Sequence, residues 1–299
     1  MLKEIRSVRT TDDITLNVQI CEISSPVWIV AVHGIGEHLG RHNYLTKLFS
    51  QYFNICQFDL RGHGKSEGKR AFVNSFSEYY EDLNTIINYL HKTYRMDKFI
   101  LFGHSMGALI VSGYLQKMTP VIYPVRVFLN APPVSAPGIL GKILNLAPLT
   151  LTRKLKDLSG SIPLSGLVDL TKLSHDVQIY DAYINDTLCS KTLESKLLLN
   201  LVHEDKEVFS RPLSIRSPLF VSYGSSDIVV DVASLKNYFS LIEKNAQLFL
   251  VKESYHEIHN EIDRYKLPYF TYLKTTFLET LYGLSVNNFP EAFELSENN

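Results

Sequence analysis

Three residues far apart in this 299-residue chain carry the side chains of a nucleophile, an acid and a base. Ser105 lies at the centre of the stretch GHSMG, Asp227 follows it in GSSD, and His256 comes last, in ESYHEIHNEID. A serine hydroxyl becomes a strong nucleophile when a histidine takes its proton and a carboxylate orients that histidine. We therefore predict acyl transfer through a covalent intermediate on Ser105, with His256 as general base and Asp227 as its acid.

The surroundings of Ser105 are typical of the sharp turn that presents such a serine. The apolar run KFILF predicts a strand directly before it, and MGALIVSGYLQKM predicts a helix directly after it. The turn requires small residues two positions away on either side, and both Gly103 and Gly107 satisfy this. The alternative is a pair of chance glycines at the end of a strand.

Two aspartates compete for the role of the acid. Asp227 lies close to the end of the predicted strand PLFVSY, whereas Asp231 directly precedes the helical pattern ASLKNYFSLIEK and can cap that helix. We therefore predict Asp227 as the acid and Asp231 as the cap.

His256 and His259 also raise the question of a metal site. Zinc proteases carry H-E-x-x-H, with histidines four residues apart, whereas here the two histidines are three apart. The sequence offers no third ligand with a recognisable spacing. We predict no metal; the alternative for both histidines is an ordinary surface position.

Two glycine-rich stretches resemble nucleotide-binding loops only superficially. In HGIGEHLG the last glycine comes one residue too late for the dinucleotide fingerprint, and RGHGKS has Asp59 where the phosphate loop requires glycine. We predict that the first stretch supplies an oxyanion-binding amide and that the second is structural, so no cofactor is expected.

The elements that must position these residues alternate between strand and helix from Trp28 to Val251. The short apolar runs between turns are WIVAVH, NICQF, KFILFG, VRVFLNA, PLFVSYG and QLFLV. Several are apolar on both faces, which predicts a doubly wound α/β fold, a mostly parallel sheet with helices on both faces. Residues 132–211 interrupt the alternation with helical patterns and no convincing strand. We predict a core of residues 1–131 and 212–299 with a helical lid inserted at 132–211.

Composition excludes several functional classes. The 30 basic and 31 acidic residues give no electrostatic footprint for nucleic acid. Three widely spaced cysteines predict neither a disulfide framework nor a zinc cluster, and the N-terminal residues lack the apolar core of a signal peptide. These features favour a cytoplasmic protein. The sequence does not indicate an oligomeric state or a role for the polar tail at 285–299.

The predicted lid contains an apolar stripe at helical spacing. Its members are Ile139, Leu140, Ile143, Leu144 and Ala147. Such a stripe is more often part of a core, but here it is followed by Arg153, Lys154 and Lys156. Apolar residues beside cations suit peripheral contact with a membrane.

Taken together, the stretches HGIGEHLGRH, FDLRGHGKSEGKR, FGHSMGA, YGSSD and YHEIHNE resemble the monoacylglycerol lipase and lysophospholipase branch of the α/β-hydrolases. The resemblance spans most of the chain and implies the α/β-hydrolase fold. It also implies the order nucleophile, acid, base found here in Ser105, Asp227 and His256. It places the oxyanion hole at the backbone N–H groups of Ile35 and Met106.

The same resemblance implies that Glu37, Arg41 and His259 line a polar pocket for the head group. The expected activity is hydrolysis of carboxylic esters of lipids, monoacylglycerol or lysophospholipid, without a cofactor. Two alternatives remain open: a carboxylesterase or thioesterase acting on short soluble acyl groups, and a catalytically silent binding scaffold.

Overall fold

The computed structural model describes residues 3–136 and 146–282, built around an eight-stranded sheet. The strands of this sheet are β1 (Lys3–Arg9), β2 (Thr15–Cys21), β3 (Trp28–Val32), β4 (Asn54–Phe58), β5 (Phe99–His104), β6 (Arg126–Asn130), β9 (Leu219–Gly224) and β10 (Ala246–Val251). Their order across the sheet is β1-β2-β4-β3-β5-β6-β9-β10. β2 runs antiparallel to β1 and β4, and every other neighbouring pair is parallel. The predicted mostly parallel sheet is confirmed.

Helices cover both faces of the sheet. The helices of the described residues include α1 (Asn43–Phe49), α2 (Ser77–Tyr94), α3 (Met106–Lys117), α4 (Leu149–Lys156), α5 (Val177–Asn185), α6 (Ser195–Val208), α7 (Val232–Asn237) and α8 (Asp263–Tyr282). Apolar residues of α2 and α3 pack in the cluster on one face, whereas those of α1 and α8 pack on the other. Central strands are therefore buried on both sides.

β3 illustrates why the central strands have no polar face. Trp28, Val30 and Val32 belong to the apolar cluster on the side of α2 and α3. The intervening Ile29 and Ala31 belong to the cluster on the side of α1 and α8. Successive side chains of a strand point to opposite faces. A continuous apolar run is thus what a strand between two helical layers requires.

Between β6 and β9 lies a stretch, residues 132–211, that adds no strand to the main sheet in its described parts, 132–136 and 146–211. We call it the intervening segment. It contains α4, α5 and α6 and two short strands, β7 (Pro163–Ser165) and β8 (Thr192–Glu194), which pair antiparallel in a separate sheet. Sequence analysis found no strand here, and that expectation was wrong. Strands of three partly exposed residues carry no alternating pattern from which they could be predicted.

Sequence analysis also did not identify β1, an edge strand of seven residues in which only Val8 is buried. Ile139, Leu140, Ile143 and Leu144 of the predicted stripe lie outside the described residues, as does the tail at 285–299. No helix of the described residues has the length and apolar content to cross a membrane. The three cysteines are all buried and unpaired.

Candidate active site

Ser105 stands on the turn between β5 and α3. Its φ of 53° lies in the left-handed region, which residues other than glycine rarely adopt. A β-carbon at Gly103 would come within 2.5 Å of the Gly107 carbonyl oxygen, and one at Gly107 within 2.3 Å of the Val32 carbonyl oxygen. The Ser105 N–H donates to the Asn130 carbonyl at 2.9 Å. The two glycines make the turn sterically feasible, and the neighbouring strand holds it in place.

His256 joins the loop after β10 to Ser105 and Asp227. Its Nε2 lies 2.9 Å from Ser105 Oγ, and its Nδ1 lies 2.7 Å from Asp227 Oδ2. The other oxygen of Asp227 accepts from the N–H groups of Val229 and Val230 at 2.7 and 3.2 Å. An ionised carboxylate only accepts, so Nδ1 carries the ring proton and Nε2 is free to accept from the serine hydroxyl. The structure brings the three predicted residues into one hydrogen-bonded chain.

Burial and charge act in opposite directions on the pKa of His256. Burial disfavours the imidazolium and would lower the pKa, but the charge and hydrogen bond of Asp227, together with the charges of Glu257 and Glu37, outweigh it. The pKa of His256 is therefore raised above its ordinary value of 6.5. A proton taken from Ser105 would be stabilised on this ring.

Asp231 has a different partner. Its Oδ1 accepts from the Ser234 N–H at 2.7 Å, which caps the N-terminus of α7. This is the capping geometry expected from the sequence, and it leaves Asp227 as the carboxylate bonded to His256.

The loop after β3 approaches Ser105 from the other side. A β-carbon on Gly34 would lie 2.9 Å from Glu37 Oε1 and 3.1 Å from the Ser105 β-carbon, so the close approach requires glycine. Ile35 lines the same cavity as Ser105, and Met106 begins α3. Among the bonds within residues 3–136 and 146–282, neither the Ile35 N–H nor the Met106 N–H has an acceptor. The donors of an oxyanion hole must likewise have no acceptor of their own in the protein.

The loop after β4 supports this arrangement. The Leu60 N–H donates to His33 Nε2 at 2.9 Å, so His33 Nδ1 carries the proton and donates to the Gly34 carbonyl at 2.8 Å. Asp59 Oδ1 accepts from the Leu39 N–H at 2.8 Å. These bonds fix the loop that carries Ile35 against β4, which agrees with a structural role for the stretch around RGHGKS.

A cavity of about 130 Å³ adjoins Ser105 and His256. One wall is formed by the loop from Gly34 to Glu37. Five leucines of the intervening segment also line the cavity: Leu164, Leu167, Leu170, Leu173 and Leu193. The reacting groups therefore lie beside a largely apolar space.

Glu37 is buried at the edge of this cavity and serves the loop itself. Its Oε1 accepts from the Gly34 N–H and from His42 Nε2. Arg41 lies between two acids, with Nε 3.5 Å from Glu37 Oε2 and a close ion pair to Glu257. Burial would raise the pKa of Glu37, but the charge of His42 and its neighbours holds it well below the usual range. Glu37 thus remains ionised and paired.

His259 is buried among rings. Its ring lies 4.8 Å from those of His42 and Tyr44 and 4.9 Å from that of His104. Within the described residues neither of its nitrogens has a hydrogen-bond partner, and burial lowers its pKa well below the ordinary value. The ring is neutral.

Of the three residues expected at the head group, only Glu37 lines the cavity. Arg41 and His259 are not among the residues that line it and make the contacts just described. Their direct contact with a head group stays a prediction.

The described residues contain one group of metal-type ligands, His38, Asp186 and Cys189, within 4.8 Å of one another. His38 Nδ1 accepts from the Gly40 N–H, so Nε2 carries the proton and donates to Asp186 at 2.8 Å. If a metal were bound at His38 Nε2, Nδ1 would carry the proton and donate a hydrogen bond. Here Nδ1 accepts a hydrogen bond instead. Burial raises the pKa of Cys189 to about 12, so its thiol stays protonated. The group fits a hydrogen-bonded junction better than a metal site.

Sequence analysis assigned no role to Tyr183 and Ser190 of the intervening segment. The Tyr183 hydroxyl and the Ser190 N–H both donate to the Gly36 carbonyl, at 2.9 and 2.8 Å. They hold the residue next to Ile35 in place. No sequence motif marks either residue, because their contacts are with a loop 147 residues or more away along the chain.

Comparison with known proteins places the chain among lipid-ester hydrolases and their relatives. Residues 25–263 match the family model described as serine aminopeptidase, S33. A monoacylglycerol lipase of Mycolicibacterium smegmatis is 28% identical over 236 residues, which cover 78% of this chain and 82% of that protein. A phospholipase of Bacillus subtilis is 25% identical over 240 residues, with coverages of 79% and 90%. The crystal structure of a monoacylglycerol lipase from Paleococcus ferrophilus, 24% identical, superposes with a TM-score of 0.74 over 93% of this chain and 99% of that one.

Proposed function

This chain belongs to the serine aminopeptidase S33 family of α/β-hydrolases, and we propose that it hydrolyses carboxylic esters of lipids, with monoacylglycerols and lysophospholipids as the substrate class. The observation that carries the proposal is the hydrogen-bonded chain from Ser105 through His256 to Asp227 beside a cavity walled by leucines. Relatives named monoacylglycerol lipase and phospholipase support the choice of ester.

The family description mentions aminopeptidases, but the site favours an ester. An aminopeptidase needs an anionic group for the α-ammonium of its substrate. The carboxylates among the described residues that line the cavity are Glu37 and Glu257, and Arg41 lies against both. Neither acid is left unpaired, which argues against recognition of a cationic chain end.

The proposed mechanism has two similar halves. Ser105 Oγ attacks the ester carbonyl while His256 Nε2 takes its proton, and Asp227 stabilises the imidazolium. The amides of Ile35 and Met106 receive the oxyanion. The imidazolium then protonates the departing alcohol, which leaves an acyl group on Ser105. A water molecule repeats the sequence and releases the fatty acid.

The roles at the polar end of the substrate are also a proposal. Glu37 lines the cavity, which supports a contact with the head group, and Arg41 and His259 act through Glu37 by fixing its position. His259 reaches Glu37 through His42, whose ring it contacts and whose Nε2 bonds to Glu37.

The raised pKa of His256 gives a prediction for the pH dependence. His256 must be unprotonated to act as base, so kcat/KM should fall as pH decreases through its pKa. Because that pKa is raised, the acid limb should lie above 6.5, the ordinary value for histidine. The measurement is kcat/KM for a small soluble ester across the pH range. An acid limb below that value would contradict the assigned base.

We further propose that the intervening segment is a cap that contacts membranes. Exposed Leu149 and Leu151 lie on α4, each about one helical turn before an exposed cation, Arg153 and Lys154 respectively. Exposed apolar side chains next to cations suit reversible binding to anionic lipid. The acyl chain could then pass from the bilayer into the leucine-walled cavity.

The cap proposal predicts an effect on lipid substrates alone. Serine at both Leu149 and Leu151 should weaken binding to anionic vesicles by about tenfold or more, since each leucine contributes up to about 1.5–3 kcal/mol when buried. Hydrolysis of long-chain esters should fall with it, and short soluble esters should be spared. Leu241→Ser, on a side chain 67% exposed outside this segment, is the matched control. Unchanged vesicle binding in the double variant would contradict the proposal.

A panel of monoacylglycerols, lysophospholipids, p-nitrophenyl esters and acyl-CoA thioesters tests the substrate class. We expect the highest kcat/KM on a long-chain glycerol or lysophospholipid ester. A preference for short acyl groups or thioesters would favour the esterase or thioesterase alternative. Absence of turnover on every member would favour a silent scaffold.

A further inference from the structure

The backbone on both sides of His256 is held by hydrogen bonds, on one side to a side chain later in the same loop and on the other side to the intervening segment. The Tyr255 N–H donates to Glu261 Oε1 at 2.8 Å, and the Glu257 N–H donates to the Leu173 carbonyl at 2.9 Å. His256 itself is held through Asp227 at its ring. Ring and backbone therefore have separate anchors.

Glu261 is the centre of the backbone anchor. It is fully buried, and besides Tyr255 it binds His175 twice, accepting from the backbone N–H at 2.9 Å and from Nδ1 at 2.9 Å. Tyr255 and His175 belong to different parts of the fold: the loop that carries His256, and the intervening segment. One carboxylate thus joins the two.

Further contacts strengthen the same junction. The rings of His175 and Tyr255 stack with centroids 3.8 Å apart and an interplanar angle of 15°. The Ser174 hydroxyl donates to the Asn260 carbonyl at 2.9 Å. Residues 173–175 of the intervening segment are therefore packed directly against the His256 loop.

We propose that Glu261 is a positioning residue for the reaction, which fixes the His256 loop and makes its alignment with Ser105 depend on docking of residues 173–175. The inference rests on the proposed role of His256 as base. The intervening segment also holds the loop after β3, which carries Ile35. There, Tyr183 and Ser190 of the segment donate to the Gly36 carbonyl. The intervening segment therefore lines the cavity and also fixes two loops of the site, the loop with Ile35 and the loop with His256.

Glu261→Gln tests this with little change in shape. One carboxylate oxygen becomes an NH₂ group that faces N–H donors, so either Tyr255 or His175 loses its acceptor. We expect kcat for a small soluble ester to fall about 10- to 100-fold at nearly unchanged KM, because a misplacement of about 1 Å can cost about 100-fold. The matched control is Glu253→Gln, which removes a half-exposed carboxylate from the same loop and should keep wild-type kcat.

The pH profile separates positioning from general loss of structure. The charges that raise the pKa of His256 come from Asp227, Glu257 and Glu37, and Glu261→Gln removes none of them. A shift of the acid limb to lower pH would report that His256 has moved away from Asp227. We expect this shift in Glu261→Gln and not in Glu253→Gln.

A second variant covers the case in which Glu261→Gln does not fold. His175→Ala removes the partner on the intervening segment, at a side chain that is 30% exposed, and should lower kcat several-fold with the same shift of the acid limb. Wild-type kcat and acid limb in a folded Glu261→Gln protein, or in His175→Ala, would overturn the inference. An active His256→Ala protein would instead show that the proposed base is wrong, so the two failures are distinguishable.

Discussion

Replacing Ser105 with alanine is expected to lower the turnover of esters by roughly five to six orders of magnitude, as loss of the nucleophile does in other serine hydrolases. The alanine removes the one oxygen that His256 Nε2 contacts at 2.9 Å and leaves the oxyanion amides and the cavity in place. Initial rates on a p-nitrophenyl ester and on a monoacylglycerol measure the loss, and thermal unfolding checks the fold.

Ser112→Ala is the matched control for this variant. Ser112, like Ser105, is a buried serine, and it lies within α3. Its hydroxyl donates to the Ala108 carbonyl of the same helix at 2.8 Å. It should keep wild-type turnover. Turnover of the folded Ser105→Ala protein within tenfold of wild type would contradict the assignment of the nucleophile.

The second large effect is expected at the acid. Asp227→Asn should lower kcat by about 10⁴-fold, because an amide group that donates to His256 Nδ1 would hold the imidazole in the wrong tautomer. Asp231→Asn should stay near wild type, because asparagine caps a helix about as well as aspartate. Steady-state kinetics of both variants on one soluble ester make the comparison.

Both variants change an aspartate to an asparagine, so a difference in their kcat values reports the positions of the two aspartates relative to His256. Asp227 bonds to His256, whereas Asp231 bonds to the Ser234 N–H. A larger loss in Asp231→Asn than in Asp227→Asn would transfer the role of acid to Asp231 and require a different arrangement of the loop after β9.

The residues of the hydrogen-bonded chain can be located from the sequence because each of them carries a local signal. Ser105 lies between a recognisable strand and helix, and its flanking glycines are required by the close approach of that helix at Gly103 and of β3 at Gly107. Asp227 is close to the end of a predicted strand, whereas Asp231 directly precedes a predicted helix, so the sequence distinguishes the two. Parallel strands then bring the loops together at one edge of the sheet.

What the sequence does not predict depends on contacts between distant residues. Arg41 and Glu257 pair across 216 positions, and Glu261 binds His175 across 86. A histidine that follows the base at a familiar spacing looks like a ligand or a pocket residue, yet His259 is enclosed by His42, Tyr44 and His104. Such burial is set by packing of α1 and the loops around it and leaves no pattern in the sequence.

The most direct test of a serine hydrolase acting through Ser105 is the site of covalent labelling. The folded protein would be treated with a fluorophosphonate in the presence and absence of a monoacylglycerol, digested, and mapped by peptide mass spectrometry. We expect one adduct, on Ser105, whose formation the lipid slows. No adduct on Ser105, or an adduct on another serine that the lipid slows instead, would contradict it.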